Sequence, residues 1–260
     1  MPQIFPKAMN PIARVVILGF PLLAGTTGVG LAAFYRSSYA TGVGETPPQP
    51  VAFSHAHHVG QLGIDCRYCH TSVESSGFAK VPPIKTCMNC HQQIWQGADL
   101  LQPIRDAYNP EKSKKREYTI EWNRVYNLPH YAYFNHSIHV AKGVGCVSCH
   151  GRLDQMNLTL QHSTLLMEWC INCHRAPEKN LRPRSEITSM TYKLGEKENG
   201  EDAVWKAEDF PHYGKLPDGS VNPLIGKTRP KSQEEIGVLL KEEYKIRDKV
   251  TLTNCSMCHR

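Results

Sequence analysis

Ten cysteines and five histidines of this chain fall into one repeated pattern, Cys-x-x-Cys-His. The copies are Cys66-Arg-Tyr-Cys69-His70, Cys87-Met-Asn-Cys90-His91, Cys146-Val-Ser-Cys149-His150, Cys170-Ile-Asn-Cys173-His174 and Cys255-Ser-Met-Cys258-His259. On a helical turn, positions i, i+3 and i+4 share one face. Two thiols can then form thioether bonds to the edge of a porphyrin while the imidazole sits over its iron. The pattern therefore points to c-type haem, with His70, His91, His150, His174 and His259 as proximal ligands. Zinc is the rival reading, since Cys-x-x-Cys pairs also build zinc ribbons, but zinc does not need a histidine directly after the second cysteine. A disulfide framework is the other. All ten cysteines of the chain lie within the five motifs, which leaves no thiol for a nucleophile.

A second pattern recurs in step with the first. Phe53-Ser-His55-Ala-His-His58-Val59, a glycine-containing turn and Cys66 match Phe134-Asn-His136-Ser-Ile-His139-Val140, a glycine-containing turn and Cys146. The offsets are 136 − 55 = 81, 146 − 66 = 80 and 170 − 87 = 83, so the chain holds two tandem two-motif units. A lone histidine is more often a surface or core residue, but a His-x-x-His pair in register with the attachment sites reads as distal ligation. His55, His58, His136 and His139 then supply sixth ligands to four haems, in a pairing the spacing leaves open. His57 and His130 fall outside the repeat and read as ordinary polar residues. For the fifth iron the candidate is Met167, three residues before Cys170, with His162 and His212 as rivals; a methionine packed on a porphyrin face is the plainer alternative.

These groups must be positioned by a chain with little core of its own. Five porphyrins in 260 residues take up much of the apolar interior, so the expected fold is mostly irregular, with short α-helices and little sheet. The formal charge of +6 invites a nucleic-acid reading. The propionates of five haems add about ten negative charges and remove its basis.

Residues 15–34 carry no charge and are long enough to span a hydrocarbon core. Lys7 and Arg14 before the run agree with an inside N-terminus. A cleaved signal is the competing reading, with small-residue sites at Gly30-Leu-Ala32 and Ser38-Tyr-Ala40; the length of the run favours a retained anchor. Ala24, Gly28 and Ala32 form a small-residue stripe on one helix face. The domain reading is a cytoplasmic tail at 1–14, an anchor at 15–36 and a linker at 37–52. The haem domain follows at 53–260, with units at about 53–91 and 134–174 and a fifth-haem segment at 175–260.

Between the units, residues 92–108 read as a helix closing over the second haem, residues 111–117 with their basic cluster Lys112 to Arg116 as a solvated loop, and residues 120–126 as a wall against water. Most of 175–230 reads as an extended segment draped over the domain. Ser232 with Glu235 forms a capping box ahead of an apolar stripe at Ile236, Leu239, Leu240 and Tyr244.

The opening Gln3-Ile-Phe-Pro-Lys7-Ala-Met-Asn10-x-Ile-Ala-Arg14, the single apolar span, the two Phe-x-His-x-x-His units, Met167-Glu-Trp-Cys-Ile-Asn-Cys-His-Arg175 and the C-terminal fifth motif together resemble the pentahaem cytochrome c subunit of bacterial alternative complex III. The two units also resemble the cytochrome c3/c7 multihaem class. The resemblance implies five c-type haems in an electron-transfer subunit, not itself an enzyme. It implies a place in the bacterial cytoplasmic membrane with the haem domain on the periplasmic side. The implied partners are an iron-sulfur protein that donates electrons and a further cytochrome, copper protein or oxidase that accepts them, with no nucleic acid. The alternatives are a multihaem reductase and a membrane-anchored quinol dehydrogenase feeding a periplasmic reductase. Pentahaem nitrite reductases mark their open iron with Cys-x-x-Cys-Lys, which this chain lacks.

Overall fold

The computed structural model describes residues 4–113, 120–192, 197–198, 201–202, 204–210, 214, 220–222, 224–230 and 232–259. Gln3, His212 and Lys114 to Arg116 of the basic cluster lie outside the described residues.

Helix α1 runs over Met9–Arg36, 28 residues with none buried. It starts well before the uncharged run, because Asn10 and Arg14 extend the helix without needing lipid contact. At 1.5 Å per residue it is about 42 Å long, more than the roughly 30 Å of a bilayer core. It is long and apolar enough to cross a membrane. Ser37 ends it by turning extended, and its hydroxyl donates to the Phe34 carbonyl at 2.6 Å. A single further turn, α2 (Ser38–Thr41), closes on Gly42, whose φ of +72° is the left-handed cap that glycine adopts without strain.

The rest of the chain is short helices joined by irregular segments. A π-helical turn (Ala56–Gln61) is followed by α3 (Cys66–Cys69), α4 (Ile84–His91), α5 (Gln102–Tyr108), α6 (Pro110–Ser113), α7 (His136–Ala141), α8 (Val147–His150) and α9 (Met167–Arg175). The C-terminal part holds α10 (Gln233–Glu243), α11 (Lys249–Leu252) and α12 (Cys255–Cys258). Among the described residues the one ladder is β1 (Lys197–Glu198) paired antiparallel with β2 (Glu201–Asp202). This is the helical and irregular chain expected from the motif density.

Three local expectations need correction. The helix expected over 92–108 is broken: α4 stops at His91, Ile94 and Trp95 lie exposed in a turn, and helix resumes only as a 3-10 turn at Asp99–Leu101 leading into α5. Trp95 there has a φ of +57°, which no helix admits. Ser232 is extended and stands at the N-cap of α10, but its side chain makes no cap hydrogen bond, so the capping box does not form. Leu239, placed on the apolar stripe, is exposed, while Ile236, Leu240 and Tyr244 are buried.

The segment after α9 is not simply draped. Leu181, Trp205, Phe210, Ile236, Leu240 and Tyr244 form a buried peptide core. Asp209, fully buried beside it, accepts from the Ser185 hydroxyl at 2.9 Å, the Lys206 amide at 2.9 Å and the Arg229 guanidinium at 2.9 Å. Buried charge persists here because each carboxylate lone pair finds a donor. A smaller cluster of Val51, Met88, Leu101 and Ile104, flanked by Ile120 and Trp122, stands behind α4.

Helix α10 lies so close to the 3-10 turn Pro177–Lys179 that a Cβ on Gly237 would run into the Glu178 carbonyl. Gly237→Ala is expected to destabilise this core by about 1–3 kcal/mol through overpacking, and Leu240→Ala by about 2–5 kcal/mol through the cavity it leaves. Thermal unfolding of the full-length protein checks both; unchanged midpoints would contradict the packing described.

Candidate haem-binding site

Each of the five motifs occupies a helical turn, and two of them carry their own caps. Asp65 accepts from the Arg67 amide at 2.8 Å ahead of α3, and Asn254 accepts from the Ser256 amide at 3.0 Å ahead of α12. The other three lie within α4, at the start of α8 and within α9. No disulfide joins any of the ten cysteines. Among the described residues no group of three or more His, Cys, Asp or Glu side chains is arranged to hold a bare metal ion.

The histidines of the second pattern face those of the first. Ring centroids lie 6.1 Å apart for His58 and His91, 6.4 Å for His136 and His150, and 6.1 Å for His139 and His174. A metal bound at about 2 Å by each imidazole nitrogen, with about 1 Å more from nitrogen to ring centre, separates two axial rings by roughly 6 Å. For His55 burial does most to push the pKa down to about 4, with the charge of His70 next in effect. In the second unit the first histidine of the pair thus faces the first motif's histidine and the second the second's, and in the first unit His58 faces the second motif's His91.

The other nitrogen of each ring is occupied in a way that suits ligation. Nδ1 of His70 lies 2.7 Å from the Lys80 carbonyl, that of His58 2.8 Å from the Ser54 carbonyl and that of His139 2.7 Å from the Asn135 carbonyl. His136 reaches the Gly77 carbonyl at 3.0 Å, His174 the Leu252 carbonyl at 2.9 Å, His259 the Tyr131 carbonyl at 3.1 Å and His91 the Ile94 carbonyl at 3.3 Å. A carbonyl can only accept, so Nδ1 carries the proton and Nε2 keeps the lone pair that binds iron. His55 Nδ1 lies 2.9 Å from the Thr159 hydroxyl, which serves in either role. His150 is held by its ring, with Tyr126 edge-on at 4.6 Å. Burial pushes the His150 pKa down to about 4, and it lowers those of His58 and His139 as well. Burial penalises the imidazolium, so these rings stay neutral and able to ligate. The donor set thus fits c-type haem.

The phenylalanine of each Phe-x-His-x-x-His segment has a role that the spacing did not reveal. Phe53 meets His55 edge-on at 4.8 Å and stacks on His58 at 4.4 Å. Phe134 repeats this with His136 at 4.7 Å and His139 at 4.5 Å. One aromatic ring therefore sets the planes of two imidazoles. The units also brace each other. The Gly77 carbonyl of the first unit takes both the amide and Nδ1 of His136, while Thr159 and the Met156 carbonyl of the second unit hold His55 and Ala56. Lys80, with a φ of +57°, bends its carbonyl towards His70.

The remaining candidates are less gathered. His57 stacks on Trp95 at 6.0 Å and bonds Gln61, as an ordinary polar residue does. His130 is exposed. Met167 is 64 % exposed at the start of α9. His162 lies against Gly151 and its charge is felt at His150, on the third motif's side. His212 lies outside the described residues.

No family model matches the chain. Over 102 residues it is 32 % identical to the multihaem cytochrome c subunit of a menaquinone reductase from Nitratidesulfovibrio vulgaris, a stretch covering 39 % of this chain and 45 % of that protein. The chain thus spans less than half the length of the curated relative it matches. The likeness supports a multihaem cytochrome c carrying c-type haems, and is compatible with an electron-transfer subunit of a membrane complex.

Replacing a distal ring should expose one iron. Each of His55→Ala, His58→Ala, His136→Ala and His139→Ala is expected to convert one haem to a high-spin, carbon-monoxide-reactive form in the absorption and electron paramagnetic resonance spectra. Four variants with wholly low-spin spectra would overturn the assignment. Thr159→Val should leave every haem low-spin and shift the potential of one haem alone, that of His55 and His70.

Proposed function

We propose that this protein is a membrane-anchored pentahaem c-type cytochrome that conducts electrons within a quinol-oxidising complex of the alternative complex III kind. The observation that carries the reading is the set of imidazole pairs about 6 Å apart, each uniting a repeated His-x-x-His histidine with the histidine of an attachment motif. Haem iron, when bound, supplies one-electron exchange. The chain does the rest. The cysteine pairs would hold the porphyrin edges, and paired imidazoles would leave four irons with no open position for a substrate. Their backbone hydrogen bonds keep the rings from turning, so the ligand geometry is the same before and after an electron passes.

Helix α1 would hold the domain at the outer face of the bacterial cytoplasmic membrane, the side on which c-type haem is attached. Electrons would arrive from an iron-sulfur subunit and leave for a further cytochrome, copper protein or oxidase. The relative's name favours a second reading, in which a cytochrome of this kind serves a complex that reduces menaquinone. The two differ in the direction of flow and not in the wire.

At the fifth motif the candidates are Met167, His162 and His212. His162 is drawn to the third motif, whereas Met167 shares α9 with the fourth, beside which the fifth lies. Met167 is therefore the preferred sixth ligand. Thioether sulfur favours ferrous iron, so one haem should titrate at clearly higher potential than the other four. Met167→His should bring it down; five haems of bis-histidine character in the unaltered protein would remove Met167.

Intact mass of the purified subunit tests the reading as a whole. The expected value is the polypeptide with residues 9–36 retained plus five haems. A chain beginning near Ala33 or Thr41 would remove the anchor, and fewer than five haems would remove the pentahaem assignment.

A further inference from the structure

The five motifs are tied together in a particular succession. Asn89, inside the second motif, donates to the hydroxyl of Tyr68, inside the first, at 3.3 Å. The first and third motifs meet through residues 187–188. The Thr188 hydroxyl donates to Asp65 at 2.9 Å, and the adjacent Ile187 carbonyl accepts the Cys146 amide at 3.0 Å. From the third motif, the Cys149 carbonyl accepts the Ser163 hydroxyl at 2.6 Å, just ahead of α9, which carries the fourth. The fourth reaches the fifth through His174 Nδ1 on the carbonyl of Leu252, three residues before Cys255, at 2.9 Å. Among the described contacts no bond joins the second motif to the third, fourth or fifth. Cys90 of the second motif and Cys255 of the fifth are exposed, and the other eight cysteines are partly buried.

The chain leaving the anchor follows the same succession backwards. At the end of α1 the Arg36 guanidinium forks onto Glu168, in the first turn of the fourth motif's helix, at 2.9 and 2.8 Å. The strand beyond it is strapped down. The Gly44 amide donates to the Gln161 carbonyl at 2.7 Å, the Gln161 amide to the Glu45 carbonyl at 3.1 Å, and Gln49 and Asn123 exchange bonds at 2.8 and 3.0 Å. It ends at Val51, buried with Met88 of the second motif. Phe34, Tyr35 and Tyr39 are exposed around Arg36, the belt that a membrane–water interface favours.

We infer that the five haem sites stand in single file in the order second, first, third, fourth, fifth, clamped to the membrane at the fourth, with the second as the outer terminus. The exposed second and fifth sites are then the two ports through which redox partners exchange electrons. This rests on the pentahaem reading proposed above.

Electron cryo-microscopy of the haem-loaded, full-length protein in lipid nanodiscs tests it. The expected nearest neighbours among the irons are second–first, first–third, third–fourth and fourth–fifth, with the fourth iron closer to the bilayer than the second. Any other succession, or a second iron nearer the bilayer, overturns the inference. Fewer than five haems in the map overturns the pentahaem reading instead. A solution experiment checks the clamp. Glu168→Arg should speed cleavage after Glu45 by a glutamate-specific protease about tenfold, and the added Arg36→Glu exchange should restore resistance; equal cleavage of all three proteins overturns the clamp.

Discussion

An imidazole has two nitrogens, and binding iron through one leaves the other to be satisfied by the protein. Much of this structure answers that constraint. Seven of the nine motif and repeat histidines place Nδ1 against a backbone carbonyl, His55 uses a hydroxyl, and His150 is fixed through its ring. Because all of these carbonyls but that of Leu252, at the end of α11, come from irregular segments, those segments cannot move without turning the rings. This accounts for ordered conformation in a chain with so little regular secondary structure, down to a left-handed lysine at position 80.

The same bonds explain why two units are joined as one domain. His136 depends on the Gly77 carbonyl and His55 on Thr159, so the first ring of each unit's His-x-x-His pair is aligned by the other unit's loop. A single unit would leave those nitrogens to water and the rings free to rotate. The aromatic of each Phe-x-His-x-x-His segment supplies what a larger hydrophobic core supplies elsewhere, a rigid surface that fixes side-chain planes.

Among the described residues the buried apolar side chains gather in two clusters. One, between α10 and residues 181–210, is closed by the fully buried Asp209 and its donors, and it delivers the chain to the last motif. The other backs α4 and ends the strap that runs from the anchor. The fold is thus a set of short motif turns with two small clusters of buried apolar side chains and, through Arg36 and Glu168, a bond to the end of a long apolar helix.

What could be read from residue order was whatever depends on spacing or on composition. The Cys-x-x-Cys-His turns follow from spacings that local backbone geometry enforces, the in-register histidine pairs from an 80–83-residue repeat, and the long apolar helix and the scarcity of sheet from composition. The break at Trp95, the failed cap at Ser232 and the core within 175–246 were not legible, because tertiary contacts overrode local preference at each of them. Ring pairing, the two phenylalanine clamps, the Thr159 and Gly77 partners and the succession of motifs were decided by the tertiary structure alone. They join residues up to 132 positions apart, as in Arg36 with Glu168. Such contacts are selected by shape and hydrogen-bond geometry in three dimensions, for which no spacing along the chain is a substitute.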